Sequence, residues 1–180
     1  MSTTTEIAYL FRDCTVAMVP SGAKMKLRKG TEVKIVQQLG NSFTLEIFGN
    51  LARLEGKDAD AIGKQTADPL ADLPPGSSID DQVWAMLSTV YDPEIPVNIV
   101  ELGLVYDCKI CENADKKYEV TVVMTLTAPG CGMGPMIADD AKQKIERIPE
   151  VIQATINIVF DPPWSRDKMS DAAKLELGVF

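Results

Sequence analysis

Residues 118–136 read YEVTVVMTLTAPGCGMGPM. The first half, Tyr118 to Leu126, is rich in β-branched residues, as a strand requires. The second half is a glycine-rich loop that carries one cysteine, Cys131. It opens into a run of helical spacing from near Pro135 or Met136 to about Ile148, with Ile137, Ala141, Ile145 and Ile148 on one face. Strand, loop and helix in that order put a thiol just ahead of a helix N-terminus. Unpaired N–H groups and the positive end of the helix dipole favour an anion there. The Cys131 thiol is therefore expected to ionise below its free value of about 8.5. Gly130, Gly132 and Gly134 allow positive φ and close approach of a partner. The plainer alternative is a strand-to-helix turn with an incidental cysteine, but a turn needs neither the thiol nor three glycines.

Outward from this stretch, the neighbouring elements alternate in type. Ser78 is followed by Asp81, a variant capping box, and Val83, Met86, Leu87 and Val90 then fall at helical spacing. That helix is expected to end near Tyr91, ahead of Asp92-Pro93. Leu104–Ile110 and Tyr118–Leu126 read as two strands joined by a turn at Glu112–Asp115. In the second helix Asp139 and Asp140 are expected in the first turns and Lys144 and Arg147 near the end. Val151–Phe160 reads as a third strand, and Ser170–Leu177 as a last helix closed by Gly178. The order α-β-β-α-β-α predicts an α+β two-layer sandwich with a three-stranded sheet over residues 79–180.

Residues 63–78 carry Asp68-Pro69, Pro74-Pro75 and Gly76-Ser77-Ser78 and read as a linker. Before them, residues 1–62 read as a small β-rich module. Strands are expected at Cys14–Val19, Glu32–Gln38, Phe43–Phe48 and Leu51–Leu54, with turns at Pro20–Gly22, Leu39–Ser42 and Gly49-Asn50. Phe43, Leu45 and Ile47 share one face. A partly closed, barrel-like module is the predicted arrangement.

Composition narrows the chemistry. The chain has 180 residues, 46% hydrophobic and 24% charged, within the ordinary range for globular proteins. It has no run of 18 apolar residues, and Met1–Glu6 lacks the features of a secretory signal, so a cytoplasmic protein is expected. The net charge of −8 argues against nucleic-acid binding. There is no histidine, which removes Ser-His and Cys-His pairs and His-ligated metal sites. The four cysteines, Cys14, Cys108, Cys111 and Cys131, are too irregularly spaced for a disulfide framework. Cys108 and Cys111 have Cys-x-x-Cys spacing, but on a strand an offset of three sends them to opposite faces. Cys14 reads as a small core residue. Met133, Met136 and Met169 line either an adaptable surface or the core.

Asp92-Pro93-Glu94-Ile95-Pro96 is a rigid, acidic loop followed by Glu101. The functional reading sets Asp92, Glu94 or Glu101 beside Cys131 as metal ligands or thiol orienters; the alternative is a helix-to-strand connection with solvated acids. Carboxylates close to a thiolate need a cation between them. Asp161-Pro162-Pro163-Trp164 is either a docking corner for a partner or a turn that covers the core edge.

The four motifs Asp92-Pro93-Glu94, Leu102-Gly103-Leu104-Val105-Tyr106, Thr127-Ala128-Pro129-Gly130-Cys131 and Asp161-Pro162-Pro163-Trp164 resemble, in this order, the SufT family of iron–sulfur cluster assembly proteins. The wider domain family includes PaaD of phenylacetate degradation and the targeting factor of cytosolic iron–sulfur assembly. The resemblance covers roughly Ile79 to Val179. Arg12-Asp13-Cys14, Val19-Pro20-Ser21-Gly22 and Gln38–Thr44 resemble the N-terminal extension of the SufT branch. The resemblance implies an auxiliary factor in cluster assembly or delivery, not an enzyme, with Cys131 as its critical residue and Thr127, Asp92 and Glu94 at other marked positions. Glu101 stands where the family usually has Asp. A cluster would be held transiently rather than as a permanent cofactor. The expected partners are an assembly scaffold, apo-acceptor proteins and, as one arrangement, a second copy of the chain. Two alternatives stay open: a thiol-dependent enzyme carrying a persulfide or acyl group on Cys131 with Lys142 or Lys144 as base, and an adaptor that binds no cluster.

Overall fold

The computed structural model describes residues 5–92, 95–130 and 132–179, so Pro93, Glu94 and Cys131 lie outside the described residues. The chain divides into two compact units, Met1–Asp68 and Pro69–Phe180. No helix among the described residues is long and apolar enough to cross a membrane.

The first unit is one antiparallel sheet of six strands. They are β1 (Glu6–Tyr9), β2 (Cys14–Met18), β3 (Lys24–Leu27), β4 (Glu32–Leu39), β5 (Ser42–Ile47) and β6 (Asn50–Glu55), in the spatial order β1-β4-β5-β6-β2-β3. Period-two alternation puts Phe43, Leu45 and Ile47 of β5 inside, against Ile35, Ala52 and Leu54. The strands β1 and β3 are not paired with each other among the described residues, so the expected barrel-like module is better described as an open six-stranded sheet. Neither β1 nor β3 was legible as a strand: each has four residues and mixes charged with apolar side chains. The β5–β6 turn is Phe48-Gly49 rather than Gly49-Asn50. Both turn residues have positive φ, and Asn50 already pairs with Ile47. A 3₁₀ segment, Gly56–Ile62, follows β6 and also went unpredicted. Arg12 binds it through Asp58 at 2.9 Å and Asp60 at 2.6 Å.

The second unit contains α1 (Ile79–Leu87), β7 (Val105–Glu112), β8 (Tyr118–Met124), α2 (Gly134–Ile145), β9 (Val151–Ile158) and α3 (Asp171–Leu177). This is the expected α-β-β-α-β-α order. The sheet runs β7-β8-β9; β8 pairs antiparallel with β7 and parallel with β9, and α2 supplies the crossover that a parallel pair needs. Val120, Val122 and Met124 of β8 are buried on one face with Ala154 of β9, and α2 packs on β9 and against α1. The opposite face carries Asp107, Lys109, Cys111, Glu119 and Thr155, all on the register of its outward positions.

Helix boundaries follow local bonding. The Ser78–Asp81 capping box is formed in both directions. Helix α1 stops at Leu87, short of the expected Tyr91. Thr89 and Val90 then donate to the carbonyls of Met86 and Leu87, a tighter i→i−3 turn that redirects the chain. Helix α2 starts at Gly134 and has no acidic residue in its first turn. Asp139 and Asp140 lie mid-helix, and Arg147 lies beyond the helix end. Those two aspartates are therefore too far from the N-terminus to complement the helix dipole, and Asp140 is instead buried. Helix α3 is capped by Ser170, whose hydroxyl accepts from Ala173 N–H, and ends at Gly178 with φ 65°.

Candidate functional site

The β8–α2 connection is held at both ends by buried contacts. Thr125 is fully buried; its N–H donates to the Leu104 carbonyl at 2.8 Å, and its hydroxyl has no hydrogen-bond partner among the described residues. Leu126 packs directly on Gly134, where an added Cβ would come within 2.5 Å of Leu126 Cδ1. That close approach explains the glycine at the first residue of α2. Thr127 is half-buried, while Ala128, Pro129, Gly130 and Gly132 are exposed. Gly130 has φ +81°, a conformation that favours glycine. A Cβ on Gly132 would meet nothing within 4 Å, so no crowding demands a glycine there. Met133 is buried and stands at the N-cap of α2 without a side-chain cap bond, and Pro135 has no N–H to satisfy. Among the described residues the N-cap therefore gives the first turn of α2 no side-chain acceptor, an arrangement that favours an anion. Cys131, the residue whose ionisation the sequence predicts, lies outside the described residues.

The acidic candidates divide. Glu94 lies outside the described residues. Asp92 is buried, and its carbonyl accepts from Ile95 N–H at 3.3 Å. Tyr91 and Asn98 form a bridge across the loop, and the Asn98 Oδ1 accepts from Val100 N–H and Glu101 N–H at 3.0 and 2.9 Å. The Glu101 carboxylate accepts a hydrogen bond from the Ser170 hydroxyl, and Glu101 O accepts from Ser170 N–H at 2.9 Å. Glu101 therefore anchors the start of α3. Next to it a cavity of about 200 Å³ is lined by Tyr91, Val97, Asn98, Glu101 and Glu176. Asp92 and Glu101 thus share the α1–β7 connection, whereas Thr127, Gly130 and Gly132 belong to the β8–α2 connection. Among the described residues no three Cys, Asp or Glu side chains converge to hold a metal ion.

The other cysteines have separate settings. Cys14 is in the core of the first unit, and burial pushes its thiol up. Cys108 is half-buried on the helix-covered side of β7; burial, with lesser help from Asp80 and Asp107, pushes its thiol up to about 11. Cys111 is exposed on the other face, as the strand offset predicts.

The Asp161–Trp164 corner packs back on the unit. The Trp164 indole donates to the Leu102 carbonyl at 2.8 Å, and the Tyr106 hydroxyl donates to Pro162 O at 2.9 Å. Of the methionines, Met133 and Met169 are core and Met136 is half-buried.

One pair escaped the sequence reading. Asp140 and Lys144 are both buried and bonded to each other at 3.1 Å. The available signal was two opposite charges four residues apart on the same helical face as Ile137, Ala141 and Ile148.

Residues 80–157 match a family model described as "Iron-sulfur cluster assembly protein". The chain is 49% identical over 90 residues to "Fe-S protein maturation auxiliary factor SufT" of Staphylococcus aureus (strain USA300), covering 50% of this chain and 98% of that protein. It is 46% identical over 99 residues to a "Fe-S protein maturation auxiliary factor" of Porphyromonas gingivalis, covering 55% of this chain and 90% of the relative. A crystal structure of a domain of unknown function, DUF59, from Bacillus anthracis superposes with a TM-score of 0.50 at 38% identity, over 57% of this chain and 93% of that one.

Proposed function

The chain belongs to the iron–sulfur cluster assembly protein family, and from that premise we propose that it is an auxiliary factor in the maturation of iron–sulfur proteins that acts through Cys131. The observation that carries the reading is the β8–α2 connection. It is anchored by buried Thr125, Leu126 and Met133, exposed at Ala128–Gly130, and runs into a helix N-terminus that has no side-chain cap among the described residues. A thiolate in that connection would gain from the first-turn N–H groups and the positive end of the helix dipole.

Clusters are usually ligated by four cysteines. A single thiol leaves most positions for a scaffold, an acceptor, a small thiol or a second copy of the chain. Incomplete ligation suits cargo that is received and passed on, so the cluster is substrate rather than resident cofactor. The role is that of an assembly or carrier factor rather than an enzyme. Thr127 and Gly130 shape the loop, and Gly132 leaves open space beside it. Asp92 and Glu94 are the acidic residues we assign to the function, on the α1–β7 connection where Glu101 anchors α3 through Ser170. The expected setting is the cytoplasm, where the cysteines stay reduced.

Anaerobic reconstitution with iron, sulfide and a small thiol tests this, with wild type beside Cys131→Ala. The expected result is visible absorbance and bound iron on wild type, at least tenfold less on the variant, and transfer from wild type to an apo-acceptor. Equal iron on both proteins, or none on either, would overturn carriage through Cys131.

A further inference from the structure

Lys144 is a cation on the apolar face of α2, and its Nζ is engaged inside the protein. It donates to the Asp140 carboxylate one turn back at 3.1 Å and to the Thr89 carbonyl oxygen at 2.7 Å. Both charged side chains are almost enclosed, at 5% and 6% exposure. Thr89 lies two residues past the end of α1 and three before Asp92. Its N–H donates to Met86 O, Val90 N–H donates to Leu87 O, and Val90 O accepts from Ile99 N–H. The turn that leads to the acidic loop is therefore tied to α1, to the segment after the loop and, through Lys144, to α2.

A buried ion pair is a weak source of stability, because apolar side chains of similar volume often serve as well or better. Apolar packing between two helices is non-directional and tolerates small slides, whereas a charge-assisted bond to one carbonyl does not. We infer that Asp140 and Lys144 are positioning residues: the pair fixes the Thr89–Asp92 turn, and with it the Asp92 carboxyl, in one register against α2, the helix that follows Cys131 in the chain. The inference rests on the reading of Cys131 and Asp92 as site residues. Asp140 holds the Lys144 ammonium in place, and Lys144 holds the turn.

The test compares wild type with Lys144→Met and with the double variant Asp140→Asn/Lys144→Met. Lys144→Met leaves a carboxylate buried without its cation and is expected to lower the urea midpoint. The double variant removes both charges and is expected to recover most of that midpoint. Three readouts follow on the full chain: amide exchange at Thr89, Val90 and Ile99; the pH profile of Cys131 alkylation, resolved by peptide mass spectrometry; and the rate of cluster transfer. In the stable double variant the three amides should exchange at least tenfold faster, the Cys131 profile should shift, and transfer should slow about tenfold. Wild-type exchange together with a wild-type Cys131 profile in that variant would overturn the inference. Should wild type carry no cluster, the carrier reading fails instead, while exchange and alkylation, which need no cluster, still decide whether the pair positions the turn.

Discussion

At the scale of single residues, the cysteines are separated by their surroundings rather than by their spacing. Cys108 faces the helices and Cys111 faces outward, because three residues along a strand reverse the side. Raising a thiol pKa keeps it protonated at neutral pH. With Cys108 at about 11, only about one molecule in a thousand carries the thiolate at pH 8. We expect iodoacetamide at pH 8 to label Cys108 at least tenfold more slowly than Cys111, with the Cys108 rate climbing as pH rises toward 11. A peptide-resolved time course checks this, and equal rates at pH 8 would contradict the burial of Cys108. The strand faces could be read from the sequence. The depth of burial could not, because it depends on which helix lies over β7. The Asp140–Lys144 pair was hidden for a related reason: an i,i+4 pair looks the same in a one-dimensional pattern whether it faces water or another helix.

Among the elements, segment 161–170 shows how two motifs distant in sequence become one structure. It is bound along residues 101–106 by Trp164 to Leu102 O, Tyr106 to Pro162 O and Ser170 N–H to Glu101 O. The register shift in β7 between Val105 and Asp107 leaves Tyr106 out of the strand pairing, and Lys168 Nζ sits 4.6 Å from the centre of its ring. Gly103 is the close-approach point. It has φ +69°, and an added Cβ would come within 2.1 Å of Lys168 O, a backbone atom that cannot simply rotate away. Gly103→Ala is therefore expected to destabilise the second unit by about 3 kcal/mol, from left-handed strain and forced displacement together. Urea unfolding followed by tryptophan fluorescence measures the loss; a change under 1 kcal/mol would show that the segment is not held there. The two motifs were legible separately in the sequence, but nothing in it indicated that they bond to each other. The ends of α1 and α2 also moved from their expected places, since the last carbonyls of each helix accept from N–H groups three residues on, a tighter local turn that the apolar spacing does not show.

For the whole molecule, the chain divides into two units, and the core cluster of the first is drawn entirely from residues 10–62. The Staphylococcus aureus relative is matched over 98% of its length by 50% of this chain, so a chain of single-unit size is viable in this family. Residues 69–180 are accordingly expected to fold alone, with cooperative urea unfolding and dispersed amide resonances; a collapsed, non-cooperative fragment would refute this. The sequence by itself determined the element order of the second unit, the inward face of β5, the Ser78–Asp81 cap of α1 and the Gly178 end of α3, and the place of a cysteine between a strand and a helix. These are local properties, set by dihedral preference and by the 2.0 and 3.6 residue periods. Only the tertiary structure decided that the first unit is an open six-stranded sheet, that Glu101 anchors α3 through Ser170, that Gly134 admits Leu126, and that Asp140 and Lys144 are enclosed. Each of those depends on which distant residue arrives as neighbour, and the free energy of a polar or close contact is set by that neighbour and by the exclusion of water, not by the residue's place in the chain.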